Sequence, residues 1–111
     1  MNNECVSETL GDYLLVRLRG EVDLSWSQQV RKAILDGLGA NGKVGVEMSE
    51  VSYIDSSGIA ALVEGLQSAK SKGKQFGLVR GPQQVQRLLS LTGVEERLRF
   101  ADTPAELLDG R

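Results

Sequence analysis

Four consecutive residues, Asp55, Ser56, Ser57 and Gly58, carry the side chains best suited to chemistry. They lie between an apolar stretch and a segment with helical periodicity, so one turn holds two hydroxyls and a carboxylate. Either serine could cap the following helix by accepting backbone N–H groups, while Gly58 relieves crowding. A serine could instead be a hydrolase nucleophile, or could accept a phosphoryl group from a kinase. On these four residues alone, the helix cap is the favoured interpretation.

The absence of histidine restricts what this turn can do. Histidine is the usual general base near neutral pH, so Ser-His-Asp and Cys-His arrangements and His-ligated metal sites are excluded. The single cysteine, Cys5, can form neither an internal disulfide nor a thiolate zinc site. The sequence around the serines also lacks the Gly-x-Ser-x-Gly pattern. We therefore expect no catalytic residue, metal or cofactor, and an enzyme is the least supported class.

Length and charge indicate one globular domain whose partners are proteins. The 111 residues leave room for a single core, and the formal net charge of −2 comes without any block of Lys or Arg. We therefore expect no direct binding to nucleic acid or anionic membranes. No segment approaches the roughly 20 apolar residues that span a bilayer, and residues 1–4 lack the features of a secretory signal. The expectation is one domain over residues 1–111 in the cytoplasm.

The first third of the chain predicts a hairpin. Alternation over residues 13–19 predicts a strand with one solvated side, interrupted at Leu15 and ended by Gly20. The turn at residues 9–12 would join it to an antiparallel strand around residues 5–7.

A helix is predicted next, capped by either Ser25 or Ser27 and ended by a run of glycines. Its packed face would include Trp26, which could alternatively anchor a partner protein. The glycines are Gly37, Gly39 and Gly42, and the other packed positions are Val30, Ala33, Ile34 and either Gly37 or Leu38.

The best candidate for a central strand is the apolar stretch from Val44 to Ile54, which leads directly into the Asp55 turn. Helical spacing after the turn predicts a second helix that ends with Lys70, Lys72 and Gly73. Its apolar positions are Ile59, Leu62, Val63, Leu66 and Ala69.

The last third predicts a short strand at residues 76–79, a third helix opened by Gly81-Pro82, a last strand at residues 97–100 and a final helix capped at Thr103-Pro104. Strands alternating with helices indicate an α/β fold, with a mixed central sheet of about four to five strands packed with about four helices. The third helix would bury Val85, Leu88 and Leu89 and end at Gly93, and the final helix would carry Leu107 and Leu108.

Three stretches resemble the STAS domain family, and within it the single-domain anti-sigma factor antagonists of bacterial partner-switching systems. Gly-Glu-Val-Asp-Leu at residues 20–24 resembles the family's turn before the first helix. Residues 46–58 resemble its strand and phosphorylation loop, and residues 88–94 resemble the segment that closes its third helix. The stretches occur in the family's order and span nearly the whole chain. Together they favour a phosphorylation site over a helix cap.

The resemblance implies a STAS fold and a regulator without catalysis of its own. When unphosphorylated, such a protein binds an anti-sigma factor that is also a serine kinase, and phosphorylation releases it. Family alignment implies that Ser56 is the phosphoacceptor, that Asp23 and Asp55 belong to the same partner-binding surface, and that Ser57 and Gly58 complete this surface and shape the turn. A PP2C-type phosphatase would reverse the modification. A monomer is expected, with a dimer as the alternative.

Other functions stay open at this point. The chain could be a STAS subunit bound constitutively in a transporter or stress-signalling assembly, or a partner-switching protein whose output is not a sigma factor. The Ser-Ser pair favours the switch. Asp23 has two interpretations of equal weight, because an acid just before a helix could contact a partner or simply cap the turn.

Overall fold

The sheet has five strands in the order in which they occur along the chain. The structure is a computed structural model that describes residues 3–11, 13–91, 93 and 99–109, the positions 108 and 109 by their backbone only. The first two strands are antiparallel and the other neighbours are parallel. The strands are β1 (Glu4–Leu10), β2 (Tyr13–Val22), β3 (Lys43–Ile54), β4 (Gln75–Val79) and β5 (Arg99–Ala101).

Four helices connect or follow the strands in the described part of the chain, which confirms the predicted mixed α/β fold. Each parallel crossover returns the chain to the next position in the sheet, as expected for βαβ connections. The helices are α1 (Leu24–Ala40), α2 (Ser56–Lys72), α3 (Gln83–Leu91) and α4 (Pro104–Asp109).

Two hydrophobic cores lie on opposite faces of the sheet. The larger one joins α1, α2 and α3 to alternate residues of the strands, such as Val16 and Val46. The smaller one places Leu107 of α4 against Tyr13 and Leu15. Because successive side chains of a strand point to opposite faces, Leu15 packs under α4 while Val16 faces the larger core. This explains why Leu15 interrupts the alternation.

The predicted end of β2 at Gly20 is wrong. Gly20 has a φ of 92°, and the pairing with β3 changes register there, but the strand continues to Val22. Glycine permits this backbone conformation without a steric penalty, so the irregularity bends the strand instead of ending it. The consequence is that β2 and β3 finish side by side, with Val22 paired to Ile54.

The predicted end of α1 is also wrong at two of its three glycines. Gly37 and Gly39 lie inside the helix, which continues to Ala40 and is followed by Asn41 as its C-cap. A Cβ atom at Gly37 would lie 2.5 Å from Cδ2 of Leu14, so this glycine allows α1 to approach the sheet closely. Gly37 therefore serves the packing of α1 against the sheet and not the end of the helix.

The remaining elements follow the predictions closely. The central strand and α2 are confirmed, and α2 ends at Gly73, whose φ of 67° is the left-handed conformation typical of a helix C-cap. The final helix begins at Thr103-Pro104 as predicted, since the Glu106 N–H donates to the Thr103 hydroxyl. The structure places α3 at Gln83–Leu91 and β5 at Arg99–Ala101. Some predicted positions lie outside the described residues, namely Asp12, Thr92, Val94, Arg97, Leu98 and the side chain of Leu108.

Candidate functional site

The carboxyl ends of β2 and β3 form the start of the candidate site. The two strands are parallel, and the register pair Val22 and Ile54 is followed in each case by an aspartate that caps a helix. Asp23 has φ −110° and ψ −173°, and Asp55 has φ −106° and ψ −174°. The two turns thus share one backbone conformation and bring Asp23 and Asp55 to the same edge of the sheet.

Asp55, and neither serine, is the N-cap of α2. Its Oδ1 accepts the backbone N–H groups of Ser57 at 2.9 Å and Gly58 at 3.1 Å, and the Ser57 hydroxyl at 2.5 Å. The prediction that Ser56 or Ser57 caps the helix is therefore wrong. A carboxylate at the N-cap satisfies the orphan N–H groups of the first turn, so neither serine is needed for that role.

The turn before α1 is built in the same way around Asp23. Its Oδ1 accepts the Ser25 backbone N–H at 3.0 Å and the Ser25 hydroxyl at 2.6 Å. The predicted cap at Ser25 or Ser27 is therefore wrong as well, and Asp23 is the cap. The capping interpretation of Asp23 is confirmed by this geometry, and among the described residues both side-chain hydrogen bonds of the cap use the same carboxylate oxygen.

The two turns are joined to each other. The Asp55 N–H donates to the carbonyl of Val22 across a distance of 3.2 Å. A Cβ atom at Gly58 would lie 2.7 Å from Cγ1 of Ile54 and 2.8 Å from the Val22 carbonyl oxygen. Gly58 is buried, and the missing side chain lets the first turn of α2 sit directly on the strand ends. The prediction that Gly58 relieves crowding agrees with these distances.

The two serines of the turn differ in their surroundings. Ser56 is the first residue of α2 and is exposed, and none of the described residues hydrogen-bonds to its hydroxyl. Ser57 is half-buried, and its hydroxyl donates a hydrogen bond to the Asp55 carboxylate. An incoming reagent could therefore reach the Ser56 oxygen without breaking an existing hydrogen bond, whereas Ser57 would first have to leave Asp55.

Exposed apolar side chains surround Ser56. Leu24 has the position in its turn that Ser56 has in the neighbouring one, and it is 72% exposed. Tyr53 and Leu91 are 46% and 77% exposed, and together with Ser56 they line a groove of about 400 Å³ between α2 and the end of α3. We call the surface formed by Asp23, Leu24, Tyr53, Asp55, Ser56 and Leu91 the strand-end surface.

Sequence reasoning did not single out Leu24, Tyr53 or Leu91. A signal for Leu91 was present, because it falls off the helical stripe that buries Val85 and Leu89. Exposed apolar side chains that cluster, as opposed to occurring singly, mark sites where proteins meet.

The electrostatics of the turn are dominated by Asp55. The pKa of its carboxyl is below its ordinary value, first because the Ser57 hydroxyl donates to it and also because the backbone N–H groups of Gly58 and Ser57 do. Partial burial acts in the opposite direction but does not outweigh these donors. Asp55 is therefore ionised at neutral pH, and the positive end of α2 already faces a carboxylate.

The described residues contain no group of three His, Cys, Asp or Glu side chains that could hold a metal ion. Within the same part of the chain, no helix is both long and apolar enough to cross a membrane. The strand-end surface thus combines a reachable hydroxyl, two capping carboxylates and apolar side chains. This composition suits recognition by another protein.

Comparisons with known proteins agree with the resemblance seen in the sequence. The STAS domain family matches residues 4–107. A protein of Thermotoga maritima named "putative anti-sigma factor antagonist" is 28% identical over 100 residues, which cover 88% of this chain and 88% of that protein.

Solved structures show the same fold. The crystal structure of a Thermotoga maritima protein described as a "putative anti-sigma factor antagonist" superposes with a TM-score of 0.87 at 25% identity, covering 95% of this chain and 92% of the other. The anti-sigma factor antagonist SpoIIAA in its unphosphorylated form gives 0.82 at 20% identity, covering 96% and 94%. Bacillus SpoIIAA in the phosphorylated form gives 0.75 at 20% identity, covering 96% and 97%.

Proposed function

Because the chain belongs to the STAS domain family, we propose that it is a single-domain anti-sigma factor antagonist that works by partner switching in the cytoplasm. With Ser56 unmodified, it binds an anti-sigma factor that is also a serine kinase. Phosphorylation of Ser56 releases it, and a PP2C-type phosphatase restores the binding form. The Thermotoga maritima relative, whose name is "putative anti-sigma factor antagonist", supports this assignment.

The choice of Ser56 as the acceptor rests on one observation, the difference between the two hydroxyls. Ser56 is exposed at the first position of α2, while the Ser57 hydroxyl donates to Asp55 at 2.5 Å. In the transfer, a base of the kinase takes the proton of the Ser56 hydroxyl, the Ser56 oxygen bonds to the γ-phosphorus of ATP, and the bond between that phosphorus and ADP breaks. The kinase supplies ATP and its metal ion, and the phosphatase later returns the phosphoryl group to water. The chain itself needs no catalytic group.

Phosphorylation would change the charge of the strand-end surface sharply. A phosphoserine carries about −1.5 to −2 charges at pH 7, and here it would stand next to the ionised Asp55. If a partner carboxylate lies about 6 Å away at an effective dielectric of about 40–80, repulsion costs about 1–3 kcal/mol. Bringing the dianion beside Leu24, Tyr53 and Leu91 would add a desolvation cost. Binding should weaken by a factor of about ten to a few hundred.

The fold should survive this modification. The N–H groups of Ser57 and Gly58 are held by Asp55, so the cap of α2 does not depend on the Ser56 hydroxyl. The positive end of the helix dipole offsets part of the repulsion between phosphate and Asp55. The switch is therefore a local change of charge and shape at the strand-end surface, while the fold stays the same.

The test is to recover the partner kinase by affinity capture, incubate it with ATP and the pure protein, and map the phosphate by mass spectrometry. We expect phosphate on Ser56, loss of modification in Ser56→Ala and normal modification in Ser57→Ala. Ser56→Ala should keep its affinity for the kinase, and Ser56→Asp should lose at least about tenfold. Phosphate on Ser57, or equal binding by Ser56→Asp and wild type, would contradict the proposal. Recovery of transporter subunits in place of a kinase would favour a constitutively bound STAS subunit.

A further inference from the structure

A second concave site lies at the end of the sheet opposite to Ser56. It opens between the last turns of α2, the first residues of β3 and β4, and α4, and it has a volume of about 240 Å³. β3 runs from this site to the Ser56 turn over twelve residues, so the two sites are at opposite ends of the longest strand. This cavity is therefore separate from the strand-end surface.

The wall of the cavity is apolar and comes from well-packed residues. Leu66 and Ala69 of α2, Phe76 of β4 and Leu107 of α4 line it, and all four are at most 7% exposed. A Cβ atom at Gly77 would lie 2.7 Å from Cδ2 of Leu107, so the absence of a side chain there lets α4 close over the sheet. The apolar wall is thus preformed by both hydrophobic cores.

The rim of the cavity is cationic. Lys43, Lys70, Lys74 and Arg99 line it, and none of the described lining residues is acidic. Two of the cations are held at carbonyl groups, since the Lys43 ammonium donates to the Leu107 carbonyl and the Lys74 ammonium to that of Leu38. Four of the chain's 13 Lys and Arg residues thus meet at one cavity in a protein of net charge −2. A concentration of positive charge at one cavity can attract an anion even when the net charge of the protein is negative.

We propose that this cavity binds an amphipathic monocarboxylate, with its alkyl chain against the apolar wall and its carboxylate at the cationic rim. An apolar pocket with a few convergent polar groups is the usual form of a small-molecule site. A liquid water molecule occupies about 30 Å³, and a methylene group is of similar size, so the cavity has room for about eight such groups. The ligand is therefore a carboxylate of about six to ten carbons.

Titration of the full chain with sodium octanoate, followed by ¹H–¹⁵N NMR, tests the site. We expect saturable shifts of the amides of Leu66, Ala69, Phe76 and Gly77, with a dissociation constant of about 1 mM or lower for a ligand of about ten non-hydrogen atoms. The uncharged 1-octanol should bind at least about fivefold more weakly, because it cannot use the cations.

A matched pair of variants tests the role of the rim. Lys70 and Lys72 both lie in the last turn of α2, where each interacts with the helix dipole, but only Lys70 lines the cavity. Lys70→Glu should weaken octanoate binding about fivefold or more at low salt, and Lys72→Glu should leave it within about twofold. Equal affinities for octanoate and octanol, equal losses in the two variants, or shifts that map elsewhere or do not saturate would overturn the proposal.

Discussion

Asp23 and Asp55 cap adjacent helices in the same backbone conformation. Asp23 directly follows Val22 of β2 and Asp55 directly follows Ile54 of β3, and these two strand residues are paired in the parallel sheet. This repetition puts Leu24 and Ser56 at equivalent first positions of α1 and α2. One position presents an apolar side chain and the other a hydroxyl, and both are exposed. A partner protein that binds Leu24 can therefore be sensitive to the modification of Ser56.

The two caps should differ in their contribution to stability. Asp55 accepts three hydrogen bonds with its Oδ1 and Asp23 accepts two. We expect Asp55→Ala to lower the free energy of unfolding by about 1–2 kcal/mol and Asp23→Ala by about 0.5–1 kcal/mol. Denaturant unfolding followed by circular dichroism measures both. A larger loss from Asp23→Ala would contradict this view of the caps.

Measuring affinity and stability on one variant distinguishes a contact of Asp23 with the partner from its role as a helix cap. If Asp23 also contacts the partner, Asp23→Asn should keep the cap, because Asn is as good an N-cap as Asp. The same variant should then weaken kinase binding while its melting temperature stays within about 2 °C of wild type. Unchanged binding would assign Asp23 to capping alone.

The lowered pKa of Asp55 makes part of the stability depend on pH. A carboxyl whose pKa is lower in the folded than in the unfolded state stabilises the protein at pH values above its unfolded pKa. For an aspartate the unfolded pKa is about 3.9. This stabilisation is lost as the pH falls through the folded pKa. The stability difference between wild type and Asp55→Asn should therefore be largest at neutral pH and shrink below about pH 5. Unfolding measured from pH 7 to pH 3 checks this, and a difference that grows on acidification would be inconsistent with it.

Two glycine substitutions should have opposite effects. Gly58→Ala introduces a Cβ atom 2.7–2.8 Å from Val22 and Ile54, so we expect a loss of about 1–3 kcal/mol. Gly39→Ala is the matched control, because Gly39 also lies in a helix but has nothing within 4 Å of the added Cβ. It should stabilise the protein by about 0.5–1 kcal/mol. Equal effects of the two substitutions on thermal unfolding would show that α2 does not need to approach the strands so closely.

The exposed leucine of α3 should contribute to partner binding. Burying a leucine side chain is worth about 1.5–3 kcal/mol, so Leu91→Ser should weaken binding to the kinase by about tenfold or more. Val6 on β1 is 52% exposed and lies outside the strand-end surface, and Val6→Ser should leave the affinity within about twofold. Calorimetric titration distinguishes the two variants. Comparable losses would show that the surface around Ser56 is not the principal contact.

Much of the fold could be predicted from local patterns. The central strand, α2 with its Gly73 terminus and the Thr103-Pro104 start of the final helix depend on periodicity and capping within a few residues. Predictions failed where a distant element decided the result. Gly37 continues a helix because Leu14 packs against it, and β2 passes Gly20 because β3 continues beside it.

For the site, the sequence by itself determined the turn, its residue types and the family, through motifs that are local and ordered along the chain. Only the tertiary structure decided that Asp55 is the cap, that the Ser57 hydroxyl is tied to it, and that Ser56 is exposed among Leu24, Tyr53 and Leu91. These three apolar residues come from different elements, and no pattern within one element records their proximity. The physical reason is that exposure and hydrogen bonding depend on which strand ends and helices meet in space.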